Sequence, residues 1–321
     1  MTSHTHYHAF RAMNCQMTAQ VVTDDPRAPE ALQAVERLMH QVERDLSRFL
    51  PDSDLSRLNA AAGRPYRAGE LLWQIVQEAL AWASVSHGIF DPTIGRALLA
   101  AGYDRSFELL TSGQAMDATS TSFVQASNRS PGWQNIHLDP DQRTITLPPT
   151  VQLDLGGIAK GWAADKALDL LRPLGPALVD AGGDLAIGHP RPGEKGWPVA
   201  VADPLTPESD LVFLTLAHAG LATSGTDHRR WRHRGRQQHH LIDPHQQQPA
   251  HTEILAATVV APTATEADVL ALSLVVMGLH AADAWLKTHS HIPALLILND
   301  GRTYQNSAFA HHAPAYFPAY A

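Results

Sequence analysis

Short apolar runs of strand length, closed by glycine turns, limit what this chain can fold into more than any other feature. They crowd its second half. "PALVDAGGDLAIG" (176–188) reads as a strand, a glycine turn and another strand. "WPVAVADP" (197–204) and "LVFLTLAHAGLATSG" (211–225) read as further strands, and "HHLIDP" (239–244) and "ILAATVVAP" (254–262) add two more. "ALLILNDG" (294–301) closes the core as a hairpin strand. Helical spacing is rarer. It appears in "PEALQAVERLMHQVERDLSRFL" (29–50), stopped by Pro51, over roughly 69–86 and 158–172, and in a long apolar stretch from about 264 to 289. Residues 8–22 alternate weakly and read as one strand, and 143–155 as two short strands broken by Pro148 and Pro149. Residues 104–134 are polar and read as a surface excursion. Strands outnumber helices and several are joined by short turns. The expectation is an α+β fold with mainly antiparallel sheets packed by helices, as one large domain or two closely packed lobes over residues 1–321.

Composition excludes several functions. Charged residues are only 17% of the chain and the net charge is −8, with no long basic stripe, so nucleic acid is not an expected partner. "HRRWRHRGR" (228–236) reads as a solvated hairpin turn. With Cys15 alone, no intramolecular disulfide forms. No stretch reads as a membrane span, and the first residues lack the apolar region of a signal peptide, which predicts a cytoplasmic protein. His4, His6 and His8 read as part of a mobile terminal segment.

Five stretches carry chemistry. In "LDLGGIAKGWAADKAL" (153–168), a strand ends at Asp154, and Gly156 and Gly157 lead into a helix whose first turn holds Lys160. A helix N-terminus attracts anions and a lysine can reach a phosphate, but the same pattern serves a plain strand-to-helix turn. Gly182 and Gly183 permit close backbone approach, as a ligand or a tight hairpin needs. Thr223 and Ser224 put hydroxyls at a strand end. His240 is a candidate proton acceptor. Thr263 and Glu266 have capping-box spacing, which starts a helix there and leaves Asp268 in an otherwise apolar run. A buried carboxylate needs a partner, and a hard cation such as Mg²⁺ would bind it through oxygen.

Taken in order, these pieces resemble the ApbE family, the FAD:protein FMN transferases. The resemblance also draws on "FRAMNCQM" (10–17), "DLSRFLPDSDLSRLN" (45–59) and "GIFDPTIGRAL" (88–98), and covers nearly the whole chain. It implies an α+β fold holding FAD in a cleft between two lobes, and Mg²⁺-dependent transfer of the FMN half of FAD to a threonine of an acceptor flavoprotein, with AMP leaving. It places Met13, Phe49, Ile89, Phe90, Asp91, Asp154, Lys160 and Ile242 against the flavin nucleotide, with His240 as proton acceptor and Gly157 and Asp268 at the metal. Three positions depart from the family pattern. Leu272 stands where the family has a threonine that ligates the metal, and Ser273 beside it points about 100° away on a regular helix. Thr265 lies one turn earlier than the missing threonine. "Met13-Asn14-Cys15" replaces a glycine-containing turn, and Phe49 lacks the usual tyrosine hydroxyl. Two alternatives stay open: an FAD-binding protein with weak or no transfer because of Leu272, and an FAD pyrophosphatase in which water replaces the threonine.

Overall fold

Eight strands pair in the order in which they occur, and every pairing is antiparallel. Numbered within this sheet they are β1 (His4–Ala12), β2 (Cys15–Thr23), β3 (Ala177–Ala181), β4 (Leu185–Ile187), β5 (Ala219–Gly225), β6 (Ile254–Ala261), β7 (Ala294–Leu298) and β8 (Thr303–Gln305). The computed structural model describes residues 4–111, 132–206 and 208–312. The chain divides into two units: unit 1 is Met1–Gln41, Ile158–Asp227 and Thr252–Ala321, and unit 2 is Val42–Gly157 and His228–His251.

The eight-stranded sheet is the centre of unit 1. Successive residues of a strand point to opposite faces. Leu178, Leu185, Ile187, Leu221, Val260 and Leu295 share a cluster with Trp197, Val199, Val212 and Leu214 of the Trp197–Ala202 and Asp210–Leu216 hairpin, and with Phe309. Gly220, next to Leu221, instead meets the backbone of Thr263 and Ala264, where the Ala264–Thr288 helix begins. That helix packs on β5 and β6, and the Ala159–Leu171 helix packs on β3 and β4. Both faces are therefore covered, which is why β6 and β7 are buried at every position and apolar at all but Thr258. By length and composition the 25-residue helix Ala264–Thr288 is long and apolar enough to cross a membrane. In this fold it is a core helix, and it carries buried Thr265, Asp268 and Ser273. It breaks at Gly278, whose φ of 74° no helix accommodates, so the continuous helix read from the sequence is two segments.

Three other expectations change in detail. The strand over 8–22 is a hairpin, because Met13 and Asn14 turn the chain with φ of 50° and 58°. His4, His6 and His8 lie in β1 and not in a mobile segment. The helix expected over 29–50 spans Ala28–Leu46, and residues 47–53 form turns (Leu50 N–H to Ser47 O, Ser53 N–H to Leu50 O) that precede the Ser53-capped Asp54–Ala60 helix.

Unit 2 combines the helices Asp54–Ala60, Glu70–Val85 and Gly95–Ala100 with a three-stranded antiparallel sheet, in the order Pro65–Arg67, Thr144–Thr146, His137–Asp139. Over 143–155 the structure has one strand and a single parallel bridge, Ile94 to Gln152, since Pro148 and Pro149 cannot donate to a ladder. The polar excursion over 104–134 holds the short helix Phe107–Thr111, and its residues 112–131 lie outside the described residues. The arginine-rich stretch forms the expected hairpin, Arg230–His233 paired with Arg236–His239.

Candidate functional site

In unit 2 several of the residues picked out from sequence converge on one that was not, Arg48. Its side chain is only 9% exposed. Nε donates to Oδ2 of Asp154 at 2.5 Å and Nη1 to the Tyr103 carbonyl at 2.7 Å. The guanidinium carbon sits 4.1 Å from the Phe49 ring centre and 4.6 Å from that of Tyr103. Tyr103 also packs against Trp231, with centroids 4.9 Å apart, and the Trp231 indole donates to the Ala101 carbonyl. Ile242 belongs to the same apolar cluster. Asp154 accepts a second bond, from Gly156 N–H, and its own amide donates to the Pro92 carbonyl. That last bond ties it to the stretch Ile89-Phe90-Asp91. Phe90 is buried, and Asp91 accepts from the amide and hydroxyl of Thr93. Burial holds the Asp91 carboxyl above the usual range. Gly157 lies in the turn that follows Asp154.

His240 is half-buried between the Arg236–His239 and Ile242–Asp243 strands. Its neighbour His239 places Nε2 3.0 Å from the Ala250 carbonyl, which assigns the proton to that nitrogen. Burial lowers the His239 pKa.

In unit 1 the β1–β2 and β3–β4 turns meet. A Cβ on Gly182 would lie 2.6 Å from Cβ of Cys15, and the φ of 70° independently demands glycine. The Met13-Asn14-Cys15 turn therefore sits beside the Gly182-Gly183 turn, even though the family's glycine there is missing. Lys160 does not stand free in its helix turn: its ammonium pairs with Asp184, which is 1% exposed, just after the two glycines. Asp180 accepts from Gly183 N–H at 2.7 Å, and burial raises its pKa. The Thr223 hydroxyl is shared with that of Thr258 at 2.8 Å, so it serves the β5–β6 pair; Ser224 follows it, half-buried.

Asp268 is 4% exposed and accepts a long bond, 3.4 Å, from Gly161 N–H, the residue after Lys160. Asp165, unremarked in the sequence, organises this region. Its carboxylate accepts from the Ala264 amide at 2.9 Å, the Thr265 amide at 2.9 Å and the Thr265 hydroxyl at 2.6 Å. Burial nevertheless raises its pKa. It thus caps the helix that carries Asp268. The Thr265 hydroxyl is spent on Asp165, and the Ser273 hydroxyl donates to the Val269 carbonyl at 2.7 Å. Neither replaces the oxygen that Leu272 lacks. No cluster of three acidic, histidine or cysteine side chains suited to a metal exists among the described residues. Of the two residues that the resemblance places at the metal, Asp268 offers a carboxylate and Gly157 a backbone carbonyl, a set that would hold Mg²⁺ only with waters and substrate phosphates completing it.

The fold is that of the ApbE flavin transferases. The chain superposes on an ApbE protein of Thermotoga maritima with a TM-score of 0.84, at 24% identity over 97% of this chain and all of that one. It superposes on the apo flavinyl transferase ApbE of Pseudomonas stutzeri with a TM-score of 0.82, at 25% identity over 99% of each chain.

Sequence similarity takes the assignment from fold to family: the ApbE family model matches residues 13–296, and this chain belongs to that family. It is 32% identical over 286 residues to the FAD:protein FMN transferase of Treponema pallidum, covering 85% of this chain and 78% of that protein. It is 28% identical to one from Klebsiella pneumoniae, covering 92% and 85%.

Proposed function

We propose that this ApbE-family chain is an FAD:protein FMN transferase. The hydroxyl oxygen of an acceptor threonine attacks the phosphorus of the FMN half of FAD. The bond from that phosphorus to the bridging oxygen breaks, AMP leaves with that oxygen, and the threonine proton passes to His240. Transfers of this type depend on positioning and on neutralising charge, which is what the chain's polar residues can supply. The family resemblance assigns Phe49, Ile242 and the stretch Ile89-Phe90-Asp91 to the nucleotide's rings and sugars, and Met13 likewise. Asp154 accepts from a ring N–H or a hydroxyl. The diphosphate lodges at the Gly182-Gly183 turn beside Lys160, and Thr223 and Ser224 line the strand end nearby. Mg²⁺, held by Asp268, would supply charge neutralisation at the diphosphate.

The observation that carries this reading is a buried acid, Asp268, held against the first turn of the helix that bears Lys160. Asp268 reaches the amide of Gly161, one residue from Lys160, and Asp165 fixes the helix start that sets this spacing. The test compares Asp268→Ala with wild type in FAD, Mg²⁺ and an acceptor flavoprotein. The variant is expected to bind FAD and release no AMP. Wild-type rates in the variant, with a chelator present, would remove Asp268 from the reaction.

A further inference from the structure

Arg48 spends two of its three nitrogens on this protein. Nε holds Asp154 and Nη1 holds the Tyr103 carbonyl, while Nη2 is buried without a hydrogen-bond partner among the described residues. A buried donor left without an acceptor is costly, so native structures rarely keep one without a use. The surroundings are also those of a ring-binding site. The guanidinium lies over Phe49 and Tyr103, and Trp231, Ile94 and Ile242 complete an apolar cluster around them. A planar guanidinium backed by aromatic faces suits a flat heteroaromatic ring with carbonyl or ring-nitrogen acceptors.

Building on the proposed function, we infer that Arg48 is a substrate-binding residue: Nη2 donates to an acceptor on a ring of FAD, while Nε keeps the Asp154 carboxylate aimed at the same ring. The isoalloxazine, with its two carbonyls, and the adenine, with its ring nitrogens, share this chemistry. The experiment separates them.

Wild type, Arg48→Met and Arg48→Lys are titrated by flavin fluorescence with FAD and with FMN, and AMP is titrated by competition against FAD. Arg48→Met is expected to weaken FAD roughly ten- to hundredfold, the range for losing a charged hydrogen bond. The loss should fall on one fragment only, FMN if the ring is the flavin or AMP if it is the adenine. Arg48→Lys keeps the charge without the fork and should recover part of it. Km for FAD should rise more than kcat falls. Unchanged fragment affinities in Arg48→Met, or equal losses for FMN and AMP, would overturn the inference, the latter meaning general damage to unit 2. Wild type failing to bind FAD would instead overturn the proposed function, and this inference with it.

Discussion

Gly161→Ala sets two known effects against each other. In an ordinary helix the change stabilises by about 1 kcal/mol, because alanine is the better helix former. Here the new Cβ would lie 2.5 Å from the Ala264 carbonyl oxygen, 2.8 Å from its carbon and 3.0 Å from Cβ of Asp268. Carbon–oxygen contacts close no nearer than about 3.3 Å, so the two helices must part by roughly 0.8 Å. Two of the three crowded atoms are backbone, at a helix start pinned by Asp165, so a flexible side chain cannot absorb the strain. Overpacking of this kind costs up to about 3 kcal/mol, which leaves a net loss near 2 kcal/mol and lowers the melting temperature by about 4 °C in a chain of this size. Asp268 moves with its helix. A misplacement approaching 1 Å can cost up to about a hundredfold in rate. Calorimetry and AMP release at a series of Mg²⁺ concentrations would measure both effects. A raised melting temperature with undiminished turnover would mean that helix propensity wins, and that the close approach of the two helices is not what Gly161 is for.

Asp165→Ala leaves two amides and a hydroxyl at the start of the Ala264–Thr288 helix without their acceptor, and should lower the unfolding free energy in urea by about 2–3 kcal/mol. An unshifted urea midpoint would contradict the capping role. Leu272→Thr should restore an oxygen one turn from Asp268 and lower the Mg²⁺ concentration needed for half-maximal turnover. An unchanged Mg²⁺ requirement would mean that the ion does not approach that face of the helix. His239 is held neutral by burial, so its lowered pKa means that the unfolded chain binds the extra proton first. Its contribution to stability should be complete above about pH 6.5 and lost as the pH falls through the lowered value. The melting temperature of His239→Gln should accordingly depend less on pH over that interval than that of wild type; parallel curves would contradict the assignment.

The strands were readable because burial on both faces writes a continuous apolar run, and Gly182-Gly183 is a turn that glycine announces. The β1–β2 turn was not readable: Met13 and Asn14 take positive φ without any glycine to signal it. Leu46, Phe49 and Leu50 carry the helical spacing past the true end of the first helix, which hid Arg48 in a helix it does not occupy. Asp268 stood out as an acid in an apolar helix. Asp165 did not, because its partners lie about a hundred residues away and its own helix gives a charged residue no reason to look unusual. The glycines and Lys160 of "GGIAKG" left an anion-binding turn and a plain strand-to-helix turn both open in the sequence; what it could not show is that Gly161 is required by helix packing and that Lys160 pairs with Asp184.

The measurement that bears most directly on the account is the fate of FAD in a single reaction of the protein with Mg²⁺ and an acceptor flavoprotein, followed by chromatography of the nucleotides and intact mass of the acceptor. The account predicts AMP and threonine-linked FMN appearing in equal amounts. AMP with free FMN and an unlabelled acceptor would make the protein a pyrophosphatase, and bound FAD with no AMP would make it a binding protein; either result contradicts the transfer proposed here.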